Sequence, residues 1–178
     1  MYQRILVPID GSAASTQGLD QAIQLAKITG AHVRLVHVMD RLSFATGIEA
    51  YASYNSDLIP RMKEAAEKIL DDGSRRAEAA GVRFDTSLID NLALPIGERV
   101  KECVEDWGAE LVVIGTHGRR GIKRLLMGSD AEQIMRLSPV PVLLVKAAGE
   151  GGSAKAMAAS PAEKGFGDQR PSAGKQAH

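Results

Sequence analysis

Gly115, Gly118 and Gly121 recur at every third residue directly after an apolar run at positions 111–114, and Gly128-Ser129 follows. Glycine accepts positive φ and lets backbone N–H groups approach a bulky anion with no Cβ in the way, which is how phosphate loops work. Ser129-x-x-Glu132 has the spacing of a capping box, so a helix is expected to open there, with free N–H groups and a positive dipole end that also favour an anion. The chemistry this stretch predicts is phosphate capture. His117 within the turn is either a loop residue or a ligand contact. Arg119, Arg120, Lys123 and Arg124 are either a solvated face or a source of attraction for phosphate, an attraction that salt screens. Far upstream, Asp10-Gly11-Ser12 ends another apolar run, and Asp10 either caps the next helix or faces a ligand.

Other chemistries find little support. No Ser/His/Asp or Cys/His set, no carboxylate pair in a recognisable motif and no metal-ligand spacing stands out. Cys103 is the one cysteine, which excludes an intrachain disulfide and reads as a thiol in a helix core. Lysine plus arginine and aspartate plus glutamate are equal at 22 each, so charge gives no reason to expect nucleic acid or an anionic membrane. The apolar runs are too short to span a bilayer and the N-terminus enters a strand with no signal peptide, from which a cytoplasmic location is expected.

The elements that must position these residues alternate. Strands are expected at 4–10, 32–38, 82–88, 111–114 and 140–146, and helices at 12–29, 58–80, 96–107 and from 129 onward. Helical spacing of Ile96, Val100, Cys103, Val104 and Trp107 places Trp107 in the core. Residues 39–57 show no period and are expected to form a long loop, either a binding lid or a partly helical excursion. Such alternation predicts an α/β fold: one domain over residues 1–147 with a five-stranded parallel sheet, order 3-2-1-4-5, and helices on both faces. Ligand should then bind beyond the ends of strands one and four. Residues 148–178, poor in large apolar side chains, are expected to form a disordered tail. The run that opens at Val140 and closes at Val145 reads as an apolar edge strand on which a homodimer would be built.

Gly-x-Gly-x-x-Gly and Gly-x4-Gly-Lys-Ser/Thr are both absent from the glycine turn. What stands there, Gly115-x2-Gly118-x9-Gly128-Ser129 followed by Pro139-Val-Pro-Val-Leu-Leu-Val145, resembles the ATP-binding signature of the universal stress protein (UspA-like) family. The resemblance covers about residues 2–146 and implies a Rossmann-like, adenine nucleotide alpha hydrolase-like domain. It further implies that Asp10 contacts the nucleoside, that Pro8, Ile9 and the backbone around Val38 line the adenine, and that Gly115, His117 and Gly118 follow the ribose and phosphates. Gly128, Ser129 and the helix start at Asp130 and Ala131 would hold phosphate oxygens. Asp130 departs from the family pattern, since a carboxylate there suits the empty helix end and repels phosphate. ATP, with or without Mg2+, is the implied ligand, and AMP is the alternative. The implied role is a nucleotide-dependent stress-response switch rather than a metabolic enzyme, with slow ATP hydrolysis or a nucleotide-independent dimeric adaptor as the other readings.

Overall fold

The computed structural model describes residues 2–40, 58–91, 94–116 and 128–146. His117, Gly118, Gly121, the basic cluster, most of the expected 39–57 loop and the C-terminal tail lie outside them. In chain order the elements are β1 (Arg4–Pro8), α1 (Ala13–Thr29), β2 (His32–Asp40), α2 (Leu58–Ala79) and β3 (Arg83–Asn91). They continue with α3 (Ile96–Trp107), β4 (Leu111–Gly115), α4 (Ser129–Leu137) and β5 (Val142–Val145). All strand pairings are parallel, and the order is β3-β2-β1-β4-β5.

Strand residues alternate between the faces of a sheet, and each face has its own core. Ile5, Val7, Val33, Leu35 and Val113 pack with Leu19, Ile23 and Leu70 under α1 and α2. Leu6, Val36, Val112 and Ile114 pack with Val100, Val104 and Ile134 under α3 and α4. Leu6 and Val112 are completely buried, and full burial of such a side chain contributes about 1.5–3 kcal/mol over leaving it exposed. The unbroken apolar character of β1 and β4 is thus explained by helices on both sides.

Three sequence expectations change at the margins of the fold. β5 begins at Val142, not at 140, and Leu143 and Leu144 remain more than a third exposed, at 38% and 36%. Trp107 is only half-buried, because it closes the rim of the α3 face and not its centre. Its ring stacks beneath Arg34, whose Cζ is 4.5 Å from the ring centroid, and meets His32 edge-on at 5.8 Å. Arg34 and Asp85 are register partners on β2 and β3, joined by Nε–Oδ1 at 2.5 Å and Nη2–Oδ2 at 2.9 Å. A charged pair is tolerated there because both side chains keep partial access to water, and Trp107 covers the guanidinium plane. Cys103 is likewise half-buried and not in the core centre; burial, then Asp106 and Glu102, push its thiol pKa up, so it stays protonated and poorly nucleophilic at neutral pH.

Candidate functional site

The chain runs outward from β1 through β2 to β3, then returns to place β4 on the other side of β1. β1 and β4 therefore flank the point where strand order reverses, and their C-terminal ends open on the same edge of the sheet. Asp10 follows one of these ends. Thr116 and Gly128 follow the other.

The turn after β1 is closely held. The Ile9 N–H donates to the Val36 carbonyl at 2.8 Å, and the Asp10 N–H donates to Ser15 Oγ at 3.3 Å. Gly11 has φ of 79°, a left-handed conformation that makes the reversal possible with little strain only for glycine. Asp10 Oδ1 then accepts the Ser12 N–H at 2.9 Å, and Ser12 Oγ accepts the Ser15 N–H at 3.1 Å. Ser12 is thus the cap of α1, and Asp10 orders the turn before it. The side chain of Ile9 is only 6% exposed and packs into the α1–α2 core. Pro8 ends β1, and Val38 is half-buried toward α3.

On the β4 side, glycine has a use that the sequence spacing did not reveal. A Cβ on Gly115 would lie 2.4 Å from both the carbonyl carbon and oxygen of Ala14. One on Gly18 would lie 3.1 Å from the Gly115 nitrogen. The first turns of α1 therefore rest on the end of β4 at backbone contact, and Gly115 serves this approach, with φ outside the left-handed region. Thr116, which is buried, donates its N–H to Val145 at 2.9 Å and accepts the Gly128 N–H at 2.8 Å. The chain leaving β4 and the chain entering α4 are joined by that bond.

The expected capping box does not form. Gly128 is the N-cap of α4, with φ −62° and ψ 147°, and Ser129 is already the first helical residue, one position too far along for its hydroxyl to cap. Ser129 Oγ instead donates to Asp130 Oδ1 at 3.2 Å. The first helical bond runs from the Glu132 N–H to the Gly128 carbonyl at 3.0 Å, so the helix itself offers no acceptor to the N–H groups of Ser129, Asp130 and Ala131. Gly128 differs, since its N–H is taken by Thr116. Three donors and the positive dipole end suit an anion, while Asp130 and Glu132 place two carboxylates in the same first turn.

A cleft of about 460 Å³ opens between α1 and α2; Gly11 and Ser15 of the Asp10 turn line one end of it, and it runs past Thr16, Leu19 and Gly73. Asp20 and Arg76 pair across the two helices at 3.1 Å. It lies on the α1–α2 face and includes neither the end of β4 nor the start of α4. Among the described residues no group of three or more His, Cys, Asp or Glu is placed to hold a metal ion.

The fold and crevice define a doubly wound, Rossmann-like α/β protein. Residues 1–146 match the universal stress protein family, and the chain belongs to it. Universal stress protein MJ0531 of Methanocaldococcus jannaschii is 35% identical over 147 residues, covering 82% of this chain and 83% of its own. YxiE, a universal stress protein of Bacillus subtilis, is 32% identical over 154 residues and is covered completely by the match, which spans 82% of this chain. The solved structure of hypothetical protein MJ0577 superposes with a TM-score of 0.69 at 25% identity, covering 82% of this chain and 96% of that one.

Replacing Gly115 by alanine forces α1 off β4, because the obstructing atoms are backbone and cannot rotate away. Overpacking of this kind costs about 1–3 kcal/mol, so the urea midpoint is expected to fall without a change in slope. An unchanged midpoint would show that α1 does not rest on β4 in solution.

Proposed function

We propose that this protein binds an adenine nucleotide, ATP in the first instance, in the crevice beyond β1 and β4, and acts as a nucleotide-dependent regulator in the stress response. The observation that carries the reading is the row of three N–H donors at the start of α4, at the same sheet edge as the Asp10 turn. Two universal stress proteins of the same fold lend support: one was solved in complex with cAMP (TM-score 0.57), another, from Archaeoglobus fulgidus, with dAMP (TM-score 0.60). Asp10 would bind the nucleoside, with Pro8, the Ile9 backbone and Val38 beside the base. Ser129, Asp130 and Ala131 would take phosphate oxygens, and His117 and Gly118 would complete the path between. Mg2+ would arrive with the phosphates. No step of hydrolysis is assigned. The protein is taken to act in the cytoplasm, with residues 148–178 as an extension of a domain that ends at 147.

The Asp130 carboxylate is the feature that sets nucleotide preference. It binds the hydroxyl that would otherwise turn to phosphate and adds a negative charge beside the anion subsite. Asp130→Asn is expected to tighten ATP about fivefold and AMP less, which corresponds to relief of about 1 kcal/mol of repulsion. Ser129→Ala should leave the melting temperature almost unchanged, because Ser129 is not the cap. Calorimetric titration with ATP and AMP checks the first, and a thermal melt checks the second. Absence of any heat from wild-type protein with either nucleotide would refute the reading.

We also infer a homodimer through β5. Val142–Val145 is a short apolar edge strand with two leucines more than a third exposed, and an apolar edge of this kind invites pairing. Sedimentation equilibrium at micromolar concentration should return a dimer that Leu144→Lys converts to monomer. A wild-type monomer would contradict it.

A further inference from the structure

His37 belongs to β2, yet its side chain acts on the turn after β1. Its imidazole is buried, with 7% of the residue exposed, and Nδ1 lies 2.7 Å from the Ile9 carbonyl oxygen. A carbonyl has no proton to give, so Nδ1 carries the proton and donates. The bond falls where the sheet ends. Pro8 is the last residue of β1 in register with β2, and the Ile9 N–H to Val36 carbonyl is the final backbone contact before the chain departs. The Ile9 carbonyl belongs to the peptide unit whose N–H is that of Asp10. Fixing the oxygen at one end of that rigid plane fixes the Asp10 nitrogen and Cα at the other, and the Ser12 N–H bond to Oδ1 then sets the direction of the side chain from that point. The Asp10 N–H, held by Ser15 Oγ, completes the clamp from the α1 side. Ser12 and Ser15 are local to the turn, whereas His37 is 28 residues from Ile9 and ties the turn to a second strand.

We propose that His37 is a positioning residue for the nucleoside end of the site: by holding the Ile9–Asp10 peptide it aims the Asp10 carboxylate at the ribose hydroxyls. This rests on the nucleotide reading above and extends it to ribose discrimination. A bound ribose presents two hydroxyl donors, and a carboxylate set at the correct angle separates it from a sugar that lacks them.

Two measurements test the proposal. In wild-type protein the imidazole 15N shifts at neutral pH should show Nδ1 protonated, and an unprotonated Nδ1 overturns it whatever the protein binds. His37→Leu and His37→Asn are close in size, but only asparagine offers an N–H near the position of Nδ1. The leucine variant should lose about tenfold in its preference for ATP over 2′,3′-dideoxy-ATP, and amide hydrogen exchange at Asp10 and Ser12 should quicken. The asparagine variant should retain most of both. If the leucine variant keeps the wild-type preference and exchange rates, His37 is only a core residue. If wild-type protein binds neither nucleotide, the nucleotide reading falls and takes ribose aiming with it, and the exchange rates alone then decide whether His37 holds the turn.

Discussion

The constraint on which the rest depends is the contact of α1 with the end of β4, made backbone to backbone at Gly18, Gly115 and Ala14. A side chain at Gly115 would collide with the Ala14 carbonyl, so the helix lies closer to the sheet there than ordinary packing allows. This closeness fixes the start of α1, and through its cap at Ser12 it fixes the Asp10 turn. The same strand end continues into Thr116, whose carbonyl holds Gly128 and hence the first turn of α4. One close approach thus locates both sides of the crevice relative to each other.

Most of the architecture was legible in the sequence because its signals are periodic. The central strands are apolar on both faces, and α1 and α3 repeat at helical spacing and stop at glycines, which yields β-α alternation and the observed order. Margins were harder to read. Trp107 has the spacing of a core residue, but periodicity says which way a side chain points and not how far the layer beneath extends. Here α3 lies at the limit of its core, and Arg34 with Asp85 occupies the neighbouring sheet surface. The start of β5 moved by two residues for a related reason, since an apolar run does not say where pairing with β4 begins.

The site was legible as residues and less so as roles. Gly115 was expected to relax a turn and instead admits a helix, a distinction that depends on a neighbour a hundred positions away. Ser129 and Glu132 have capping-box spacing, yet the helix begins one residue earlier than that motif requires, with Gly128 and not Ser129 at the cap, and local spacing cannot fix the frame. Gly11, Ser12 and Ser15 were passed over as a generic strand-to-helix turn although they hold Asp10 in place. His37 gave no signal beyond a polar residue in a strand, because its partner is a backbone carbonyl brought near by sheet pairing. The outcome is a site whose two halves are built by long-range contacts around short motifs.

The claim that joins these observations is that nucleotide enters between the β1 turn and the start of α4. Amide NMR of 15N-labelled protein titrated with ATP tests it residue by residue. The largest shifts are expected at Ser129, Asp130 and Ala131 and at Asp10, with Glu132, whose N–H is already bonded within the helix, moving less. Shifts concentrated instead at Thr16, Leu19 and Gly73, in the cleft between α1 and α2, would contradict the account.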